Sequence, residues 1–129
     1  MAPRRIFRDT FKFPALKDSL RFAVQGLVYL FFYHRNMRLI FLMGVGAFLL
    51  GIYVKLKGVE LMVICLTISL VFIAEIFNTA IELIIDMFTD KYHALLKIIK
   101  DIAAAVVLIA CLNALAIGYA LFLRHLFKY

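Results

Sequence analysis

The sequence predicts an all-α membrane protein with an N-terminal amphipathic surface helix and three transmembrane helices. Two observations carry that expectation. First, 66% of the 129 residues are hydrophobic and the mean hydropathy is +1.00. A soluble domain of this length buries only about two thirds of its unfolded surface, so water is the wrong solvent for most of this chain. Second, the apolar residues gather into three long stretches separated by short charged segments.

Pro14 to Arg35 comes first in the chain. Phe22, Leu27, Leu30 and Phe31 offer lipophilic surface, while Lys17, Arg21 and Gln25 recur at four-residue spacing on another face. That pattern suits a helix lying along the headgroups. The next stretch, Leu39 to Val54, is short and is completed by the residues before it. Leu61 to Ile85 is the second span, and it carries Glu75 and Glu82 with Asp86 at its end. Ile102 to Leu123 is the third, twenty-two residues without a charge, enough to cross a hydrocarbon core of about 30 Å. With two Pro, six Gly and no low-complexity linker, the chain reads as a single membrane domain over 1–129. Its tail and surface helix occupy about 1–38, and its spans about 39–54, 61–85 and 102–123. The basic N-terminus does not read as a secretory signal, because Phe11 to Asp18 interrupts any apolar run.

Charge sets the expected orientation. Arg4, Arg5, Arg8, Lys12, Lys17, Arg21, Arg35, Arg38, Lys91, Lys97 and Lys100 fall on one side of three spans, and Lys55, Lys57, Arg124 and Lys128 on the other. Eleven against four places the N-terminus and the second connection in the cytoplasm and the C-terminus outside. The net charge of +7 suits nucleic acid or anionic lipid, and the hydropathy decides for lipid. Cys65 and Cys111 lie inside apolar runs, where no disulfide framework is expected, and read as small packing residues.

The chemistry sits in the second span. At 100° per residue, Glu75, Asn78, Glu82 and Asp86 fall at about 0°, 300°, 340° and 20°, on one helical face. A carboxylate at membrane depth costs several kcal/mol unless paired or hydrated. A single residue of this kind would read as a polar seam between helices; four on one face near the cytoplasmic end point to function. The following segment, Thr89-Asp90-Lys91-Tyr92-His93 and then Lys97, Lys100 and Asp101, offers Thr89 or Asp90 as a helix cap. Its lysines suit either anionic headgroups or a transferring phosphoryl group. Beside carboxylates that suit Mg²⁺, the second use points to phosphoryl transfer at a membrane surface.

Glu75-Ile76-Phe77-Asn78-Thr79-Ala80-Ile81-Glu82, with Asp86, Thr89-Asp90, Tyr92-His93 and Lys100-Asp101-Ile102-Ala103-Ala104-Ala105, closely resembles the bacterial diacylglycerol kinase and undecaprenol kinase family. The resemblance runs from about Gly26 to the end of the chain, and the Thr-Asp-Lys-Tyr-His stretch looks more like the undecaprenol branch. It implies a homotrimer in the bacterial inner membrane that transfers the γ-phosphate of ATP to a lipid alcohol, with Mg²⁺ or another divalent metal such as Mn²⁺. By the same resemblance Glu75 is the general base and Glu82 binds the metal. Asn78 orients groups around the phosphates and Lys100 steadies them, while Asp86, Tyr92, His93 and Asp101 line the nucleotide site. Residues that bind the lipid are not identified by it.

One position departs from the pattern. His34 stands where the family has a second acidic metal ligand, although Asn36 and Arg38 match the undecaprenol branch. Imidazole is a poor ligand for Mg²⁺ and suits softer metals. His34 therefore leaves open weaker or altered metal binding, a plain interfacial residue, or a non-catalytic relative acting as a membrane subunit or lipid-binding protein. A proton or cation conductor also uses intramembrane carboxylates, but Leu61 to Phe72 has few polar groups to continue a path. The alanines Ala103 to Ala105, Ala110 and Ala114, with Gly118, permit close helix approach and predict a homo-oligomer. His125 reads as an ordinary flank residue.

Overall fold

The computed structural model describes residues 13–88 and 93–127. It is all-helical: α1 (Phe13–Tyr33), α2 (Arg35–Tyr53), α3 (Val59–Phe88) and α4 (Ala94–Leu126). The chain divides into two compact units, Met1–Arg35 and Asn36–Tyr129. In the first, α1 starts with Pro14 in its opening turn, where a missing N–H is no loss. It ends at His34, whose N–H donates to the Leu30 carbonyl at 2.9 Å.

In the second unit, α2, α3 and α4 are each long and apolar enough to cross a membrane. α3 and α4 carry the second and third apolar stretches and extend beyond them at both ends, whereas α2 starts before the first stretch and stops at Tyr53. At 1.5 Å per residue α3 and α4 are about 45 and 50 Å long, so both outrun the hydrocarbon core. Large apolar side chains cover the outside, including Leu66 and Leu115 at 70% and 69% exposure, a surface suited to lipid rather than water.

The turn between α2 and α3 is built by a Schellman motif. The Leu56 N–H donates to the Gly51 carbonyl at 2.9 Å and the Lys55 N–H to the Ile52 carbonyl at 3.0 Å. Lys55 takes the left-handed conformation at φ 64°, the position where glycine is the usual choice. Leu56 folds back and is buried, its Cδ1 lying 3.4 Å from where a Cβ on Gly51 would stand. Gly58, at φ 56°, then admits the chain to α3.

At Gly44, α2 meets the Ile68 side chain of α3. A Cβ there would stand 2.9 Å from Ile68 Cγ2, whereas one on Gly46 would meet nothing within 4 Å. Phe41 and Phe72 meet edge-on nearby, with ring centroids 6.2 Å apart. Gly44→Val is therefore expected to destabilise the protein by about 1–3 kcal/mol through overpacking. Gly46→Val should stay close to wild type, and reversible unfolding in mixed micelles compares the two.

The most extensive packing joins α3 and α4 as an antiparallel pair. Ile64, Thr67, Ala74, Glu75, Asn78, Thr79 and Ile85 are buried on α3, and Ala103 and Ala110 on α4. The alanines predicted to serve helix approach thus do so within the chain at two positions, while Ala104 and Ala105 stay exposed. Both cysteines are free thiols; Cys65 is exposed and lines shallow apolar grooves beside Phe48. It does not pack in the interior expected of it.

Candidate functional site

The acidic stripe of α3 is assembled turn by turn. Glu75 and Asn78 are buried at 5% and 8% exposure, Glu82 is half-buried and Asp86 exposed, so the stripe grades from the interior of the helix pair to its surface. Asn78 Nδ2 donates to Glu82 Oε1 at 3.1 Å, one turn along the same helix. The other half of that amide, Asn78 Oδ1, is buried without a hydrogen-bond partner. A buried carbonyl oxygen left in this state costs free energy, and it is open to a bond from a water or a ligand. Glu75 lies one turn deeper, and no hydrogen bond to it forms among the described residues. Thr79 beside them is almost fully enclosed.

At the turn end of the pair, Lys100 of α4 reaches across to α3. Its Nζ donates to Asp86 Oδ1 at 2.7 Å, with both side chains substantially exposed. Lys97 instead pairs with Asp101 along the surface of α4. The basic turn therefore divides: Lys100 joins the acidic stripe, whereas Lys97 and Asp101 neutralise each other on an exposed face. His93 is exposed and occupies the N-cap of α4 without a side-chain capping bond. The helix thus starts later than a cap at Thr89 or Asp90 would place it. Those two residues, Lys91 and the expected nucleotide residue Tyr92 lie outside the described residues.

The structure thus places Glu75, Asn78, Glu82 and Asp86 along one face of α3, with Asn78 bonded to Glu82 and Lys100 paired to Asp86. His34 belongs to the first unit, where its ring lies 5.9 Å from Tyr29, which itself lies 4.8 Å from Tyr33. Among the described residues no three His, Cys, Asp or Glu side chains cluster into a metal cage. That donor set still fits Mg²⁺, which takes one or two carboxylates and completes its shell with water and substrate phosphates; Glu82 and the orphaned Asn78 oxygen are hard donors of the right kind.

At the opposite end of the helix pair, His125 Nε2 lies 3.5 Å from Glu60 Oε2, and His125 Nδ1 lies 3.1 Å from the Leu121 carbonyl. Sequence reasoning gave this pair no role, since no local spacing links residues so far apart in the chain.

An all-helical chain with three membrane-length apolar helices and a buried acidic stripe is a polytopic membrane protein. It belongs to the prokaryotic diacylglycerol kinase family, whose pattern matches residues 21–122. The chain is 38% identical over 114 residues, 88% of its length, to a diacylglycerol kinase of Synechocystis sp., and covers 65% of that protein. It is 42% identical over 76 residues, 59% of its length, to the undecaprenol kinase of Bacillus subtilis, and covers 62% of it. The chain thus spans a little under two thirds of each of these relatives.

Proposed function

We propose that this protein is a lipid kinase that transfers the γ-phosphate of ATP to the primary hydroxyl of a membrane lipid alcohol, undecaprenol in preference to diacylglycerol. The observation that carries the reading is the acidic stripe itself. A buried carboxylate, a half-satisfied buried amide and a second carboxylate follow one another along a membrane helix and end at a lysine ion pair. A structural seam would need its amide satisfied on both sides; a substrate site leaves one side for the substrate. The Lys97 to Asp101 segment and the positive balance of the N-terminal half support a cytoplasmic site, where ATP is found.

In this mechanism the Glu75 carboxylate accepts the proton of the lipid hydroxyl as its oxygen attacks the γ-phosphorus. The bond from that phosphorus to the β,γ-bridging oxygen breaks in line and ADP leaves. Glu75 then returns its proton to water. Lys100 exchanges part of its contact with Asp86 for the phosphates, holding them by charge at the surface end of the stripe. Asn78 fixes Glu82 through its amide N–H and offers its free oxygen to the bound groups. Tyr92, His93 and Asp101 complete the nucleotide side, as their positions in the family pattern imply. Glu82 would hold Mg²⁺, which supplies neutralisation of the charge on the phosphates. The protein's work is otherwise positioning. A homotrimer, with the N-terminus and α1 on the cytoplasmic face, fits a chain that alone offers few walls to a groove.

The undecaprenol preference is supported by Thr89-Asp90-Lys91-Tyr92-His93 and by Asn36 and Arg38. The test is transfer of labelled γ-phosphate from ATP to undecaprenol and to diacylglycerol by the purified protein, with Mg²⁺ and Mn²⁺ compared. Faster labelling of undecaprenol is expected. His34 favours a second reading, a relative that kept the fold and lost the reaction, so His34→Glu runs alongside. The kinase reading expects activity in the wild type and a gain of about tenfold or more in Mg²⁺ affinity in the variant. Silence with both lipids and both metals supports the second reading.

A further inference from the structure

The end of the helix pair away from the acidic stripe carries a surplus of positive charge. On α3, Asp86 stands 26 residues after Glu60, about 39 Å along the helix, so Glu60 and its neighbours lie across a hydrocarbon core from the surface end of the stripe. Between Asp18 and Glu75 the only acidic residue is Glu60, and none follows Asp101. The Glu60 carboxylate already faces His125, at 3.5 Å. Lys55 and Lys57, in the turn before α3, and Arg124, beside His125, are all exposed. None of the three makes an ion pair among the described residues. Tyr53, 82% exposed two residues before Lys55, puts this turn at the headgroup level, where such rings gather.

Local structure does not account for the two lysines. Lys55 holds φ at 64°, where glycine would close the Schellman turn without steric cost. Lys57 stands two residues before Val59, the first residue of α3, and the positive end of that helix dipole disfavours a cation there. Of the three cations, Arg124 alone is well placed beside a helix C-terminus on both counts. The turn is nonetheless firmly built. Leu56, between the lysines, is 3% exposed, its N–H is bonded to the Gly51 carbonyl, and the Met62 N–H donates to the Gly58 carbonyl at 3.1 Å. Both lysines are thus presented from a fixed backbone, and the contact of His125 with Glu60 brings Arg124 to the same end. A strained residue that its surroundings hold in place is the kind that serves a function.

We propose that Lys55, Lys57 and Arg124 bind the phosphate of an anionic phospholipid in the leaflet opposite the surface end of the acidic stripe. A phosphodiester brings one negative charge and oxygens that accept charge-assisted bonds from ammonium and guanidinium groups. The bilayer supplies it at the depth of these side chains, and cations there gain from anionic lipid. Lys55 follows α2 and Arg124 lies near the end of α4, so one phosphate links both helices. The protein's own packing is concentrated between α3 and α4, which makes α2 the element that such a lipid secures. This site is independent of the kinase reading and is read without any activity measurement.

The test uses the full chain purified in a neutral detergent. Phosphatidylglycerol, phosphatidylcholine or inorganic phosphate is added, the unfolding midpoint is followed, and native mass spectrometry counts the phospholipid retained. Phosphatidylglycerol is expected to be retained and to raise the midpoint, as a ligand of the folded state does, with little effect of the other two. Lys57→Gln and Arg124→Gln should each weaken phosphatidylglycerol binding about fivefold, the worth of one cation beside anionic lipid. Lys97→Gln, at the other end of the pair, should leave it unchanged. Lys55→Gly should weaken binding to the same degree yet raise the midpoint in phosphatidylcholine, because glycine takes φ 64° freely; its loss of lipid response is then no failure to fold. Equal responses to the two lipids, a loss in Lys97→Gln as large as in Arg124→Gln, or a midpoint that inorganic phosphate raises as far as phosphatidylglycerol does would overturn the site. Any of these results leaves the kinase reading intact.

Discussion

Glu75→Gln is expected to lower phosphoryl transfer by about two to four orders of magnitude, the range that a general base contributes, without unfolding the protein. The two side chains have nearly the same shape, but the amide cannot accept a proton from the lipid hydroxyl. Because Glu75 is buried between apolar helix faces, loss of its charge removes a desolvation cost rather than a stabilising contact. No hydrogen bond to it among the described residues would be lost either. Activity and stability should therefore separate: initial rates collapse, while the unfolding midpoint in micelles holds or rises. A purely structural Glu75 predicts the reverse order of effects. Retained transfer, within about tenfold of wild type, would remove Glu75 from the base role.

Much of this was legible from residue spacing. The shared face of Glu75, Asn78, Glu82 and Asp86 follows from helical geometry once the apolar run is recognised, and α3 bears it out as a single uninterrupted helix. The partner of Lys100 was not legible. Lys97 and Asp101 pair at i,i+4 spacing along α4 itself, whereas only the packing of α4 against α3 sends Lys100 to Asp86. The Glu60 to His125 contact was hidden for the same reason, since it depends on the antiparallel register and on no local motif. Cys65 was misread because an apolar neighbourhood in a membrane protein signals lipid as readily as interior. The orphaned oxygen of Asn78 is likewise a property of three-dimensional packing: the sequence places the amide, but it does not say which half finds a partner.

That orphan makes Glu82 the second decisive position. Asn78 Nδ2 donates to Glu82 Oε1, so Glu82 has two separable duties, holding the amide and supplying negative charge for a divalent metal. Glu82→Gln keeps a carbonyl oxygen for Asn78 and removes the charge; Glu82→Ala removes both and leaves the amide of Asn78 unsatisfied on both sides. The kinase reading expects the half-saturating Mg²⁺ concentration to rise about 100-fold or more in either variant, since even outer-shell changes at metal sites cost about 10–100-fold. It expects stability to fall only in Glu82→Ala, by about 1–3 kcal/mol for the newly exposed need of a buried polar group. If the stripe were a seam between helices, Glu82→Gln would be silent in both measurements and Glu82→Ala would act through stability alone. The pattern across two variants and two readouts thus separates chemistry from packing at a residue where a single loss of function would not, because charge and hydrogen bond reside on the same carboxylate.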